Sequence, residues 1–585
     1  MVNKPSVRVV LGLCALLLVL PGCERETFSL PPAQDVASDF VEAWDERDFK
    51  SMRALLDQKK RRSWRARRIQ GVMRSALRSG WITRYDVELR EAVEEPDISS
   101  AEQLRQASEV TAEAPYAITY RSRAAPRPVA LAGSLQLVYD KKATEWSVRW
   151  AKSALWPQTP HASGFGVGVR WPRRAAIKDR SGRPLARGGG SARSYPQGTL
   201  AGSTLGHIGR LSDRDLSGLP DYYRTGDLAG ASGLEAAYEA RLAGIPSARL
   251  SLRDAQGRVL QTLGRKRGRP GRAVQTTLDV EVQRAAENAY GGTVGGAVVV
   301  EPDSGNLLAV VSSSSFDPNN YVGAAEVEPF NRALSGLYPP GSSMKVVTAS
   351  AALDAGTVSP RTTVTGPKNY KGVVNFESGE FGSIPFSDAV RYSVNTAFAQ
   401  VAEDLGASKL TRYADSFGFN LRPRLGVSAA RSSFPRPEEL WDLMWGSIGQ
   451  AQVLATPMQM STVAATIAND GRRMAPRVSF LLPRNGERVV SRRTAAQMNE
   501  MMQAVVTSGT GVGAQVPGVA VAGKTGTAEV DVAGVRKNHA WFVAFAPASN
   551  PKVAIGLVSE YGGVGGQVAA PLAGRILEAV LPLVP

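Results

Sequence analysis

Both cysteines of this 585-residue chain, Cys14 and Cys23, lie within its first 23 residues. The rest of the sequence must therefore fold without disulfide bonds, catalytic thiols or cysteine metal ligands. Histidine is nearly as scarce, since only His161, His207 and His539 occur, and this argues against a zinc site. Folding has to rest on buried apolar side chains, and a chain of this length requires several cores rather than one. We expect neither a metal nor a cofactor.

The composition is that of a globular protein with a strong positive charge. Apolar residues make up 43% of the chain and charged residues 21%, which excludes wholesale disorder. The formal net charge of +17 suits either nucleic acid or a negatively charged cell surface. The first residues favour the cell surface, and we expect no nucleic-acid partner.

Residues 1–23, MVNKPSVRVVLGLCALLLVLPGC, have the anatomy of an export signal. Lys4 and Arg8 precede an apolar run from Val9 to Leu20. As a helix this run would span about 18 Å, which is short of the roughly 30 Å of a bilayer core. The segment therefore predicts export rather than a conventional membrane span.

The end of this segment, Leu-Pro-Gly-Cys at residues 20–23, resembles a bacterial lipobox, in which the cysteine is lipidated and becomes the mature N-terminus. Pro21 departs from that pattern. An uncleaved signal anchor is the alternative. Either form predicts that residues 1–30 hold the protein, through lipid on Cys23 or through the segment itself, at the extracytoplasmic face of a bacterial membrane.

Residues 31–157 predict an α+β domain. Apolar residues recur at helical spacing early in this stretch, and YDVELREAV, YAITYRS, GSLQLVYD and EWSVRWAKS then alternate as half-buried strands do. The stretch, with WSVRW and Pro157 at its end, resembles the nuclear-transport-factor-two-like module of MecA-type transpeptidases. That resemblance implies a cone-shaped N-terminal domain.

Residues 59–68, KKRRSWRARR, carry seven positive charges in ten positions. The simplest interpretation is a solvated helix face. The alternative is a surface that meets anionic lipid headgroups or wall polymers.

Residues 158–272 are rich in Gly, Arg and Pro, which favours loops and irregular hairpins. Two stretches, RAAIKDRSGRPLA at 174–186 and ASGLEAAYEARLAG at 231–244, resemble the pedestal of class B penicillin-binding proteins. Ser232 and Glu235 have the spacing of a near capping-box pair. We therefore predict a β-rich pedestal or dimerisation domain.

Residues 273–585 read as a regular α/β domain. GGAVVVEPDSGNLLAVVSS predicts a hairpin around a Pro-Asp-Ser-Gly turn. AVAGKTGTAEV, HAWFVAFAP and KVAIGLVSE predict three more strands. A five-stranded antiparallel sheet flanked by helices accounts for this order, so the fold class of the chain is multidomain α+β.

The stretch PPGSSMK places two serines ahead of a lysine, at the predicted start of a helix that runs to Gly356. Ser342 is three residues before Lys345 and shares its face, whereas Ser343 points about 100° away. A helix start favours developing negative charge. The same features also suit an ordinary N-cap serine, so this stretch alone does not define a nucleophile.

Two further motifs follow in order. Ser393-Val394-Asn395 lies between two predicted helices, and Lys524-Thr525-Gly526-Thr527 lies on a predicted strand. The order S-x-x-K, S-x-N and K-T-G is the signature of the penicillin-recognising serine acyltransferases. FNRALSGLYPPGSSMK, SIGQAQVLATPMQMST and KTGTAE also resemble penicillin-binding transpeptidases. One departure is Gly449-Gln450-Ala451, where that family usually has Gly-Gln-Gly.

The resemblance implies a D,D-transpeptidase that acts on D-alanyl-D-alanine stem peptides and is acylated by β-lactams. Ser342 would be the nucleophile, Lys345 its base and Ser393 a proton relay. Asn395 would hold the substrate amide. The terminal carboxylate would bind at the remaining motif residues, Lys524, Thr525, Gly526 and Thr527, and backbone N–H groups of Ser342 and Thr527 would form the oxyanion hole.

Other interpretations stay open at this stage. A D,D-carboxypeptidase or β-lactam hydrolase would use the same serine, although the E-x-x-L-N string of class A β-lactamases is missing between Asn395 and Lys524. A non-catalytic β-lactam-binding wall scaffold is a third. The resemblance also implies partners in the division or elongation complex, but it leaves open which one, and it does not decide β-lactam affinity or antibiotic resistance.

Overall fold

The computed structural model describes residues 28–313, 315–322 and 330–585. The predicted leader, with Cys14 and Cys23, lies outside these residues. Among the described residues, no helix combines the length and apolarity that a bilayer span requires. The chain divides into two compact units: the first extends to Val169 and also takes in Ala248–Arg267, and the second consists of Arg170–Ser247 and Gly268–Pro585.

The first unit is an α+β structure, as predicted. Its four-stranded antiparallel sheet has its strands in chain order. These strands are Ile82–Leu89, Thr111–Ser122, Val129–Asp140 and Glu145–Val148. Its helices are Ala33–Asp45, Phe49–Ala54, Gln58–Ser63, Ala66–Ser79 and Ala101–Gln106, with a short 3₁₀ helix at Lys152–Leu155. A separate three-stranded sheet contains Val259–Lys266, Ser247–Arg253 and Gly164–Arg170, in that order.

Aromatic side chains fill the core of the first unit. The ring of Trp44 lies 5.4 Å from that of Tyr116 and 6.3 Å from that of Trp150, and all three are fully buried. Along Thr111–Ser122 the buried side chains mostly alternate, as expected for a strand with one face on the core. The period-two pattern of the sequence therefore corresponds to a real sheet face.

Short elements make up the first part of the second unit. Its strands are Ile177–Lys178, Pro184–Ala186, Ile208–Arg210, Leu228–Gly230 and Val274–Gln275, and its helices are Gly202–Leu205, Gly233–Ala237 and Glu239–Ala243, with a 3₁₀ turn at Gly190–Ala192.

The predicted capping box in this region is wrong. Ser232 precedes the helix Gly233–Ala237, but its side chain does not cap that helix, and its hydroxyl instead accepts the N–H of His207 at 3.2 Å. Glu235 is fully buried, and its carboxylate accepts hydrogen bonds from Arg174 and Arg193, each at 2.7 Å. A buried carboxylate requires such charged donors. Glu235 therefore joins separate segments of this region through ion pairs and does not act in a helix cap.

A five-stranded antiparallel sheet organises the rest of the second unit, as predicted. Its strand order is β2-β1-β5-β4-β3. In chain order the strands are β1 (Gly295–Val300), β2 (Leu307–Ser312), β3 (Ala522–Val532), β4 (Val535–Ala546) and β5 (Val553–Ser559). β3 is therefore an edge strand, with one side of its backbone open.

Helices cover both faces of this sheet, so the covered parts of its strands are apolar. In β4, Trp541, Val543 and Phe545 face one core, and the alternating Ala540, Phe542 and Ala544 face the other. The main helices of this region are Val280–Tyr290, Lys345–Asp354, Phe386–Arg391, Asn395–Leu405, Ala407–Ser416, Leu440–Ser447, Pro457–Ala468, Arg492–Ser508 and Ala569–Val580. Minor elements are a helix at Arg332–Ser335, 3₁₀ turns at Pro318–Tyr321, Gly341–Met344, Phe376–Ser378, Val512–Ala514 and Leu581–Leu583, and strand pairs Thr363–Gly366 with Gly382–Pro385, Asn369–Tyr370 with Val373–Val374 and Arg472–Met474 with Gly486–Arg488.

The helix Pro457–Ala468 packs directly on the central strand β5. At Gly556 an added Cβ would lie only 2.3 Å from the backbone nitrogen of Ser461. Only glycine permits this close approach of helix and strand.

Candidate active site

The turn before Ser342 is bonded to the sheet. Ser342 lies in a 3₁₀ turn, Gly341–Met344, that leads directly into the helix Lys345–Asp354, whereas the sequence predicted a single continuous helix. The indole N–H of Trp541 donates to the carbonyl of Pro339 at 2.9 Å. The strand β4 thereby fixes the position at which the turn begins.

Gly341 fits this turn between two other segments. Its N–H donates to the carbonyl of Gly449 at 2.9 Å, and it has φ of 53°. An added Cβ would lie 2.4 Å from the carbonyl oxygen of Thr527 on β3. Because both the left-handed backbone and the lack of space require glycine, the Ser342 turn is clamped against the edge strand.

The two serines of the turn have different environments. Ser343 is fully buried, and its hydroxyl donates to the carbonyl of Pro340 at 2.6 Å. Ser342 is partly exposed, and its hydroxyl makes no hydrogen bond within the described part of the chain. A nucleophile needs access to substrate, so the geometry favours Ser342 and gives Ser343 a structural role.

Lys345 is almost completely buried, with 1% of its surface exposed. Its amine nitrogen lies 2.5 Å from Asn395 Oδ1, 2.8 Å from the Ser393 carbonyl oxygen and 3.2 Å from Ser393 Oγ. It also lies 5.2 Å from the centre of the Phe398 ring. The S-x-x-K and S-x-N motifs, 48 residues apart in sequence, therefore meet in space.

Lys524, on the edge strand β3, reaches the same hydroxyl. Its Nζ lies 2.8 Å from Ser393 Oγ and 3.1 Å from the Thr525 carbonyl oxygen, and the side chain is fully buried. Ser393 occupies a left-handed turn, with φ of 59°, between the helices Phe386–Arg391 and Asn395–Leu405. This turn places its hydroxyl between the two lysine amines.

Both lysines have lowered pKa values. Burial lowers the pKa of Lys345 well below its ordinary value, and the nearby charge of Lys524 lowers it further. Burial alone lowers the pKa of Lys524 to about 7. Two unpaired ammonium groups in one buried site would be costly, so the lowered pKa values favour a state in which one of the two amines is uncharged.

Asn395 is already bonded at both ends of its side chain. Its Oδ1 accepts from Lys345, and its Nδ2 donates to the carbonyl of Val374 at 2.9 Å. The neighbouring Asn375 accepts the N–H of Thr396 at 3.0 Å. The strand pair at 369–374 thus supports the S-x-N motif, a contact that sequence reasoning missed because no local pattern connects the two segments.

The K-T-G strand has its own support. Thr525 Oγ1 lies 2.7 Å from Thr510 Oγ1, and Thr527 Oγ1 accepts the N–H of Gly565 at 3.0 Å. At Gly526, an added Cβ would lie 2.7 Å from the Pro340 carbonyl oxygen. Thr510 and Gly565 were not predicted, although both lie in glycine-rich turns, a composition that often accompanies close backbone packing.

A cavity of about 280 Å³ continues beyond Thr527 along β3. Ala451, the departure from Gly-Gln-Gly, lies in its wall and has a left-handed φ of 56°. The cavity is lined by Trp441, Trp445, Gln450, Ala451, Glu529, Val530, Asp531 and Arg536.

The fold and the convergence of these motifs define a domain of the penicillin-recognising serine acyltransferase class. Residues 295–578 match the penicillin-binding protein transpeptidase domain. Residues 189–276 match the penicillin-binding protein dimerisation domain, and residues 32–161 match the NTF2-like N-terminal transpeptidase domain. The chain belongs to the penicillin-binding protein transpeptidase family, as the sequence predicted.

Similar proteins include enzymes from two other bacterial genera. The peptidoglycan D,D-transpeptidase PbpA of Mycolicibacterium smegmatis is 36% identical over 53% of this chain and 73% of its own length. The peptidoglycan D,D-transpeptidase MrdA of Acinetobacter baumannii is 31% identical over 64% of this chain, and the match spans 64% of MrdA. A solved ceftriaxone acyl-enzyme of penicillin-binding protein A from Mycobacterium tuberculosis is 29% identical, with a TM-score of 0.57 over 70% of this chain and 98% of that chain.

Proposed function

We propose that this chain is a serine-type D,D-transpeptidase that cross-links peptidoglycan stem peptides and is acylated by β-lactams. The observation that carries the proposal is that the Ser393 hydroxyl lies within hydrogen-bond distance of two buried lysine amines, those of Lys345 and Lys524. Lys345 follows Ser342 by three residues in the sequence. The relatives described above are peptidoglycan D,D-transpeptidases by name, and one solved neighbour is a β-lactam acyl-enzyme.

In the acylation step, Ser342 Oγ attacks the carbonyl carbon between the two D-alanines of the donor peptide. The hydroxyl proton passes to the uncharged amine of Lys345, which burial and Lys524 keep deprotonated. As the carbon–nitrogen bond breaks, Ser393 relays a proton to the departing D-alanine amine. Proton transfer of this kind typically contributes about 10²–10⁴ in rate.

The edge strand binds the donor. An extended peptide adds to an open strand through main-chain hydrogen bonds, which places its terminal carboxylate near Lys524 and Thr525. Backbone N–H groups of Ser342 and Thr527 form the oxyanion hole, and each such donor is worth roughly 3–4 kcal/mol in the transition state. The Asn395 side chain releases its hydrogen bond to the Val374 carbonyl and binds the substrate amide instead.

In the second step, the amine of another stem peptide attacks the acyl carbon. Its proton passes through the same relay to Ser342 Oγ as the ester bond breaks, so the serine hydroxyl is restored and a cross-linked peptide is released. Water in place of the amine would give hydrolysis.

Membrane attachment belongs to this proposal. The relatives are wall-synthesis enzymes by name, and residues 1–30 have the anatomy of an export signal. We place the protein on the extracytoplasmic face of the membrane, held by lipid on Cys23 or by an uncleaved segment. The proposal also divides the chain into three domains, at 31–157, 158–272 and 273–585. It includes a partner in the division or elongation complex.

Labelling with a fluorescent penicillin tests the nucleophile. The purified chain should gain one adduct by intact mass, located on Ser342 by peptide mapping. Ser342→Ala should lose the adduct. Ser343→Ala is the matched control: it removes one buried hydrogen bond, costs about 1 kcal/mol of stability, and should still be labelled.

Persistence of the adduct in Ser342→Ala would refute the assignment. The fate of the acyl-enzyme separates the reactions. With a stem peptide and an amine acceptor, a transpeptidase gives a cross-linked product, whereas fast loss of the penicillin adduct in water would identify a hydrolase.

A further inference from the structure

The first unit carries a long stretch of unbalanced positive charge. Between Asp57 and Asp86 the sequence contains ten Lys or Arg residues and no Asp or Glu. This stretch forms the helices Gln58–Ser63 and Ala66–Ser79. The active site described above uses none of it.

Some of these cations have structural partners. Arg61 donates to the carbonyls of Ala54 at 2.6 Å and Leu56 at 3.2 Å. Arg68 donates to the carbonyl of Ser63 at 2.9 Å and lies over the Trp64 ring. These residues fasten the two helices to their surroundings, and they account for only part of the charge.

Six of the other eight form a surface that we call the arginine face. Each member is exposed, and in the described part of the chain no carboxylate lies within ion-pair distance of any of them. The arginine face consists of Lys59, Arg62, Arg65, Arg67, Arg74 and Arg78.

Helical geometry explains why the charges gather on one side. At 100° per residue, Arg67, Arg74 and Arg78 fall within about 40° of one another and extend over about 16 Å. The buried residues Ile69 and Met73 lie on the opposite side. Like charges at this spacing repel one another, a cost that the fold itself does not require.

We propose that the arginine face binds the anionic headgroups of the bilayer to which the chain is anchored. The proposal rests on the proposed anchor: Ala33, where the first helix begins, lies ten positions after Cys23, and this length of chain spans at most about 35 Å. The first unit is thereby kept close to the membrane surface, where each cation gains about 1 kcal/mol from anionic lipid.

The contact is electrostatic rather than insertional. Trp64, the aromatic residue within the basic run, packs edge-on against Trp150 at 5.1 Å between ring centres. Its ring is therefore held by the core of the unit. A flat row of cations without a free apolar side chain fits the plane of phosphate headgroups.

Gly71 provides a probe within the arginine face. It lies on the same side of the helix as Arg67, Arg74 and Arg78, and a Cβ at this position would meet nothing within 4 Å. Gly71→Glu adds a carboxylate that can pair with its arginine neighbours without removing any side chain. Gly71→Lys adds a cation, and Gly71→Ala is the matched control for the backbone change.

The test uses the full chain, purified from a bacterial membrane and placed in nanodiscs through its own leader. Two lipid compositions are compared: phosphatidylcholine alone, and phosphatidylcholine with phosphatidylglycerol. Arginine-specific dicarbonyl labelling, read by mass spectrometry, reports access to Arg67, Arg74 and Arg78. Arg361, an exposed arginine of the second unit, is the internal reference.

We expect labelling of the three arginines to fall about fivefold in anionic nanodiscs, the factor that corresponds to one cation's attraction to such a surface. Labelling of Arg361 should not change. About 0.5 M salt, which roughly halves the screening length, should restore labelling. Gly71→Glu should abolish most of the protection, Gly71→Ala should keep it, and Gly71→Lys should increase it.

Equal labelling in both lipids would overturn the proposal. Protection that appears only when a polyanionic wall polymer is added would overturn it too, in favour of the wall as partner. An unchanged calorimetric transition of the first unit shows that each Gly71 variant is folded there. Penicillin labelling of Ser342, which lies in the second unit, reports the proposed reaction separately, so the two failures are distinguishable.

Discussion

Ser393 is the residue at which the two buried amines meet. Its Oγ lies 3.2 Å from Lys345 Nζ and 2.8 Å from Lys524 Nζ. A hydroxyl accepts readily from one ammonium group while it donates its own proton to a neutral amine. The arrangement therefore suits one charged and one neutral lysine, which is the state that the lowered pKa values favour.

The first prediction concerns the pH dependence of acylation. Lys345 must be deprotonated to act as base, so the rate of acylation by penicillin should rise with pH through the neutral range and then level off. Lys524→Gln removes the charge that helps to lower the pKa of Lys345, so the rising limb of the rate should move to higher pH. The maximal rate should also fall, because the proposed binding group for the substrate carboxylate is lost. Stopped-flow measurement of adduct formation from about pH 5 to about pH 10 checks this, a range that brackets the ordinary and lowered lysine pKa values.

Lys371 supplies the control for that experiment. It is exposed and paired with Glu403 at 2.7 Å, so Lys371→Gln should leave the pH profile unchanged. An unshifted limb in Lys524→Gln would show that the charge of Lys524 does not influence the base.

At the scale of elements, the turn that carries Ser342 depends on close backbone packing. Gly341 bonds to Gly449 on one side and faces the Thr527 carbonyl on the other. Neither partner is near Gly341 in sequence. The position of Ser342 is thus set jointly by β3 and by the loop at 449–451.

We predict that Gly341→Ala lowers the rate of penicillin acylation by roughly 10²-fold or more, the loss typical of a misplaced oxyanion donor. The added Cβ would clash with the Thr527 carbonyl and push Ser342 away from β3. Labelling kinetics at constant pH measure the effect.

Gly356→Ala is the matched control. Gly356 also has a positive φ, of 70°, but a Cβ there meets nothing within 4 Å. It should lose about 1 kcal/mol of stability and keep its acylation rate. Equal acylation rates in Gly341→Ala and Gly356→Ala would contradict the conclusion that close packing at Gly341 positions Ser342.

The same elements show what sequence reasoning can reach. Apolar runs located the strands of the sheet because such patterns are local. The pairing of Ser342 with Lys345 from helical spacing stays a prediction, since Ser342 lies in the 3₁₀ turn before the helix. The contact between Asn395 and Val374 and the burial of Glu235 depend on distant segments, and neither could be predicted. The Gly-to-Ala departure at Ala451 is visible in the sequence, but its left-handed φ is visible only in the structure.

At the scale of the whole molecule, the chain has separate cores in its two units. The first unit is discontinuous, since Ala248–Arg267 returns to it from the middle of the chain. That segment is basic, and the sequence pattern assigned it to the pedestal. The predicted boundaries at 157 and 272 each fall inside one compact unit, and the three-domain division stays a prediction.

Separate cores should unfold separately. Trp150 is fully buried in the first unit, and Trp150→Ala should cost about 3–5 kcal/mol. Calorimetry should then show one transition lowered by roughly 10 °C and the other unmoved. Because Ser342 and its partners all lie in the second unit, the penicillin acylation rate below both transitions should stay within about twofold of wild type.

Val259→Ala, an exposed position in the first unit, is the control and should move neither transition. A single transition that shifts as a whole in Trp150→Ala would mean that the two units fold cooperatively. Loss of acylation at temperatures where the second transition is intact would mean that the first unit acts on the catalytic site, which the separate cores do not predict.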